Sequence, residues 1–216
     1  MSGRAPLPVA VVDYGAGNLV SIEQALTHVG AQPFRARHSA DLEHAAALIV
    51  PGVGAAGPAM VRLRRAGLVQ PIRDWIAADR PFIGICLGLQ LLFDSSEEDG
   101  ARTLGILPGV SRRLIDAPTL PHIGWNQVRR RRRHPLFDGL ADDVDLYFVH
   151  SYAGAPTNAD DELVLAETEH GRPFVSAVAR ANLLGVQFHP ERSGVDGLRV
   201  LSNFVRLAAQ AGQRAA

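Results

Sequence analysis

Cys86 stands where a thiol could attack a carbonyl. It closes the apolar run Phe82-Ile83-Gly84-Ile85, which reads as a short buried strand after Pro81, and Leu87 to Phe93 then predicts a helix. Gly84-x-Cys86-x-Gly88 has nucleophile-elbow spacing with cysteine in place of serine. A strand turning sharply into a helix throws its corner side chain outward, and flanking glycines leave room for the tight backbone. A helix start beside the sulfur also favours the thiolate, the form that attacks carbonyls. Cys86 is the 1 cysteine of 216 residues, so it has no disulfide partner within the chain. A free cysteine can equally serve as a small buried apolar residue; the strand-to-helix context favours the nucleophile.

A cysteine nucleophile needs a base, and the base needs an orienting partner. Among 8 histidines, His189 ends the apolar strand Leu183 to Phe188 and has Glu191 two residues on. Alternation along an extended chain puts those two side chains on one side, and Pro190 between them stiffens the segment. A lone His-x-Glu would be a strand-end histidine beside a solvated glutamate; next to the elbow it predicts a Cys86–His189–Glu191 triad. The chemistry would be amide cleavage. Cys86 attacks the amide carbon, His189 protonates the departing nitrogen, and water activated by His189 hydrolyses the thioester. The tetrahedral oxyanion needs preorganised donors. The Leu87 N–H is one, and the Val53 N–H in the Gly52-Val53-Gly54 loop is the other.

Those residues must be positioned by a sheet. Leu7 to Val12, Gln32 to Ala36, Ala47 to Val50 and Phe82 to Cys86 read as strands. Helices lie between them, over Leu19 to Val29, around Met60 to Arg65, and over Val69 to Ala78. This alternation predicts a parallel sheet covered on both faces, with working loops at the carboxyl ends of strands. Gly15-Ala16-Gly17 lacks a third glycine at Val20 and is read as a turn, not a dinucleotide site. After the acidic loop Asp94 to Gly100, Val110 to Ile115, Ile123 to Val128, Asp145 to Val149, Leu163 to Glu167 and Phe174 to Ala179 alternate as shorter strands. They predict a more antiparallel half with a small second sheet. Val195 to Ala209 predicts a last helix, with residues 210–216 a frayed tail. The expected fold class is α/β in a single domain over residues 1–216.

Composition narrows the function further. The chain is 47% hydrophobic and 20% charged with net charge +0, which points toward neither nucleic acid nor a membrane surface. Met1 to Pro6 has no apolar signal core and no apolar run nears membrane-spanning length, so a cytoplasmic protein is expected. Arg129 to Arg133 is a basic run without interleaved aromatics, read as a solvated strand edge or hairpin in preference to a nucleic-acid site. No metal-ligand spacing is present and no cofactor is expected.

Three motifs together resemble the class I (triad) glutamine amidotransferase family: Pro51-Gly52-Val53-Gly54, Gly84-Ile85-Cys86-Leu87-Gly88-Leu89-Gln90 and Gln187-Phe188-His189-Pro190-Glu191. Asp13 to Leu19, Pro121 to Asn126 and Tyr147 to Tyr152 are more narrowly similar to the branch that serves imidazole glycerol phosphate synthase in histidine biosynthesis. The resemblance implies a mostly parallel central sheet with helices on both faces plus a smaller antiparallel sheet. It implies hydrolysis of L-glutamine to glutamate and ammonia, delivered to a separate (β/α)8-barrel synthase subunit in a heterodimer. It also implies that Gly52, Gly54, Gln90, Glu98, His150, Ser151 and Tyr152 bind glutamine, and that Asn18, His122, Trp125 and Asn126 face the partner. Trp125 could equally be core. A glutaminase subunit of another ammonia-using synthase, or a scaffold or thiol sensor on the same fold, remains open.

Overall fold

Residues 5–157 and 162–214 are described in a computed structural model. In chain order the elements begin with β1 (Leu7–Val12), α1 (Leu19–His28), β2 (Ala31–Ala36), β3 (Ala47–Gly52), α2 (Ala56–Arg65), α3 (Val69–Ala77) and β4 (Phe82–Cys86). There follow α4 (Leu87–Gln90), β5 (Ser95–Ser96), β6 (Gly109–Arg113), β7 (His122–Arg130), β8 (Asp143–His150) and β9 (Tyr152–Pro156). The chain closes with β10 (Val164–His170), β11 (Arg172–Arg180), β12 (Leu183–Val186) and α5 (Gly194–Arg214). The large sheet has the order β2-β1-β3-β4-β12-β11-β10-β7-β8, and β5-β6-β9 form a second, three-stranded sheet.

The two faces of the sheet follow from alternation along strands buried on both sides. Val9 and Val11 of β1 join Ile22 and Leu26 of α1 and Phe204 of α5 in one core. Ala10 and Val12 join Met60 and Leu63 of α2 and Ile72 and Trp75 of α3 in the other. β1, β2, β3, β4 and β12 are mutually parallel, whereas β11, β10, β7 and β8 extend the sheet antiparallel. Strand register then fixes what meets at the carboxyl ends. Gly52 of β3 is opposite Cys86, and Val186 of β12 is opposite Ile85. The Gly52 loop, the elbow and the segment leading to His189 therefore emerge side by side.

Several sequence expectations need correction. The helix after Cys86 is four residues long and does not reach Phe93. Backbone N–H groups of Leu104, Leu107 and Gly105 bond the carbonyls of Leu91, Leu92 and Phe93, oxygens that a continuing helix would use for itself. β5 and β9 were not expected. β9 follows β8 after Ser151 alone, so one apolar pattern crosses from one sheet to the other without a turn signal. The last helix continues through residues 210–214 instead of fraying, and residues 215–216 lie outside the described residues.

The arginine run is at the β7–β8 hairpin but on no sheet edge, because β7 has β8 on one side and β10 on the other. Its charges are answered locally: Arg129 by Asp143, Arg130 by Asp142, Arg131 by Glu167 at 3.0 Å, and Arg132 by the Ala179 carbonyl at 3.2 Å. Such half-exposed pairs add at most about 1 kcal/mol each, but they leave less unpaired positive charge for an outside ligand.

Candidate active site

The elbow is built by absent side chains. A Cβ on Gly84 would lie 2.5 Å from the Gly88 carbonyl oxygen, and one on Gly88 would collide with the Val50 carbonyl oxygen. With glycine at both positions, α4 can pack directly onto β4 and β3. Cys86 between them takes φ 54°, ψ −109°, a conformation costing a non-glycine residue about 1–3 kcal/mol. Its side chain is 4% exposed and borders a cavity of ≈ 230 Å³ that Val53, Leu87, Gln90, Glu98 and Tyr152 also line. A larger hollow of ≈ 630 Å³, bounded by Leu107, Arg132, Glu162 and Arg180, contains no cysteine or histidine.

His189 Nδ1 lies 2.8 Å from Glu191 Oε1, with both side chains almost wholly buried. The pair is held from behind: the His189 N–H donates to the Tyr147 carbonyl at 2.8 Å, and Ser193 Oγ donates to the His189 carbonyl at 2.7 Å. Nε2 of His189 is buried and, among the described residues, makes no hydrogen bond of ordinary length. Burial opposes a charged imidazole. The attraction of Cys86, with that of Glu191 added, outweighs it and raises the His189 pKa to about 10. At neutral pH the site thus favours the imidazolium form of His189.

The remaining cavity wall comes from three directions. Gly52 and Val53 leave β3, where Tyr14 braces the turn by donating to the Pro51 carbonyl at 2.9 Å. Val53 and Gly54 are exposed at the cavity, Gly54 with φ +81°. Gln90 is one turn beyond Cys86, and its amide nitrogen donates to the Tyr152 carbonyl at 2.7 Å. Glu98 lines the mouth, its pKa raised by burial and then by Asp99, which itself accepts the Gly57 N–H at the start of α2.

His150 and His122 form a hydrogen-bonded relay beneath this wall. Nδ1 of His150 faces the Tyr152 carbonyl at 2.9 Å, an acceptor, so it carries the proton and Nε2 is bare. His122 Nδ1 therefore donates to His150 Nε2 at 3.1 Å, and Asn126 Nδ2 donates to His122 Nε2 at 3.1 Å. Burial first, then neighbouring imidazoles, lower His122 to about 4 and His150 to about 3, so both are neutral. His122 is 4% exposed and stacked on His170 at 4.0 Å.

The outer face of β7 is different. Trp125 is 57% exposed and Ile123 60%, and Trp125 packs edge-on against Tyr147, over which Arg192 lies at 4.3 Å. Asn126 is partly buried and bonded inward, while Asn18 is exposed at the start of α1, which packs near the Pro190–Arg192 turn. Gln187 is the residue that motif reasoning passed over: wholly buried, with its amide nitrogen 3.5 Å from Cys86 Sγ. The available signal was an amide in an otherwise apolar strand, two residues before His189. Among the described residues no His, Cys, Asp or Glu group is arranged to hold a metal, and no helix is long and apolar enough to cross a membrane.

A buried thiol at a strained elbow thus sits beside a buried imidazole–carboxylate pair, carried on the segment and 3-10 turn that follow β12, with the Val53–Gly54 loop lining the same cavity. The glutamine amidotransferase class-I family model matches residues 10–208, and the chain belongs to that family. It is 46% identical over 206 residues to the imidazole glycerol phosphate synthase subunit HisH of Moorella thermoacetica, covering 95% of this chain and 97% of that one. The subunit of the same name from Symbiobacterium thermophilum is 47% identical over 202 residues, covering 92% and 93%. Among solved structures, PurLQS from Thermotoga maritima shares the fold with a TM-score of 0.75 at 18% identity, over 93% of this chain and 98% of that one.

Proposed function

We propose that this chain is the glutaminase subunit of an imidazole glycerol phosphate synthase, generating ammonia through a Cys86–His189–Glu191 triad. The observation that carries the reading is the buried His189–Glu191 pair just beyond the end of β12, the strand beside the Cys86 elbow, in a chain of this family. Glutamine enters the cavity with its amide at Cys86. Gln90, Glu98 and the His150-Ser151-Tyr152 wall hold its amino-acid end, and Gly52 and Gly54 bring backbone close to the amide. The thiolate adds to the amide carbon, and the resulting oxyanion takes hydrogen bonds from the Leu87 and Val53 N–H groups. The imidazolium of His189 protonates the nitrogen, the C–N bond breaks, and ammonia leaves a thioester. His189, now neutral and oriented by Glu191, removes a proton from water, which attacks the thioester to release glutamate and restore the thiolate.

Ammonia then passes to a (β/α)8-barrel synthase subunit, yielding imidazole glycerol phosphate and aminoimidazole carboxamide ribonucleotide in the cytoplasm. The exposed Ile123, Trp125 and Arg192, with the half-buried Tyr147 against Trp125 and Arg192, support docking on that face, and Asn18 is assigned to it by the same reading. The test is ammonia release from glutamine by the purified chain, with and without the barrel subunit and its ribonucleotide. Stimulation by the partner, reduced at least about 10³-fold by Cys86→Ala, is expected. Cys86-dependent release indifferent to this partner would assign another synthase, and absence of Cys86-dependent release would overturn the reading.

A further inference from the structure

We infer that Gln187 is a built-in thiolate donor: its side-chain amide supports the charged sulfur of Cys86, and Gln90 fixes the amide's orientation. The inference rests on the glutaminase reading and adds a working residue to it. Gln187 follows directly on the last residue of β12 and lies two residues before His189, with its side chain against Cys86. It is 0% exposed, and a buried primary amide is costly unless its polar atoms are paired.

The pairing leaves one orientation. The Tyr152 carbonyl can only accept, so the Gln90 atom 2.7 Å from it is the nitrogen. That same nitrogen is 3.1 Å from the Gln187 side chain, which must therefore present its oxygen there. The Gln187 NH₂ is left turned to Cys86 Sγ, at 3.5 Å. A donor so fixed favours thiolate over thiol and limits rotation of the nucleophile. The chain Tyr152 carbonyl–Gln90–Gln187–Cys86 also joins the wall proposed for glutamine's amino-acid end to the attacking atom.

Because Cys86 is the single cysteine, its titration can be read without interference. The full-length chain would be alkylated with iodoacetamide over pH 4–10 and the modified mass followed. Gln187→Met keeps length and apolar bulk but removes the donor. The alkylation midpoint should move to higher pH by about one unit, and kcat with glutamine should fall about 10- to 100-fold while KM changes little. Gln187→Glu places an acceptor beside the sulfur and should move the midpoint further up, giving the same reading if Gln187→Met does not fold. A folded variant with the wild-type midpoint would overturn the inference and leave Gln187 as packing. The alkylation needs neither glutamine nor partner, so inactivity of the wild-type chain would sink the glutaminase reading without touching this result.

Discussion

Cys86 and His189 are legible in the sequence because each carries chemistry at an identifiable strand end. What cannot be read there is their electrostatic coupling, which depends on burial and on the register of β12 against β4. Removing the Cys86 sulfur tests that coupling. In Cys86→Ala the desolvation of His189 remains and its largest favourable partner is gone, so its titration, followed by NMR, should move well below about 10. An unmoved titration would mean that Glu191 alone sustains the imidazolium. Gln187 escaped sequence reasoning for a related reason: glutamine in a strand carries no reactivity of its own, and only the placement of sulfur and Gln90 gives its amide a task. Gly88 makes an equally sharp prediction. Alanine there drives a methyl into the Val50 carbonyl, backbone that cannot rotate away. Gly88→Ala should lose about 3 kcal/mol or more in urea unfolding, whereas a loss below about 1 kcal/mol would mean the elbow relaxes freely.

The parallel strands were plain because long apolar runs alternate with helical spacing. The helix after the elbow was overestimated because its periodicity is apolar on every side; competition from the Leu104 to Leu107 backbone decides where it stops. Alternation along β7 turns His122 inward and Trp125 outward. That inward face sets a pH dependence. His122 and His150 stay neutral to about 4 and about 3, while an unfolded histidine protonates near 6.5. Below pH 6.5 the unfolded chain binds more protons, so stability falls with pH, by up to about 1.4 kcal/mol per unit for each residue. Denaturant melts between pH 7 and 4.5 should show this slope, and His122→Gln should flatten it by about one proton.

For the molecule as a whole, the antiparallel extension β11-β10-β7-β8 matters because its last strand brings Val149 and His150 to the wall of the Cys86 cavity. The sequence announced both halves but not the chain's passage between two sheets at Ser151, which places His150 and Tyr152 as neighbouring walls of one site. On the outer face, Trp125 is the side chain whose removal separates docking from chemistry. Trp125→Ala should weaken barrel-subunit binding about 30-fold or more by calorimetry, with an unchanged melting temperature. Wild-type affinity in that variant would move the interface elsewhere.

The pairing of β4 with β12 has a consequence for the chain as it is made. The strand beside the nucleophile is its neighbour in space but comes about 100 residues later in synthesis. At roughly 5–20 residues per second, Cys86 leaves the ribosome several seconds or more before His189 exists to deprotonate it. A nascent or prematurely terminated chain would therefore carry a thiol without its base. On the proposed triad, the order of these strands along the chain would withhold ammonia production until His189 has been made.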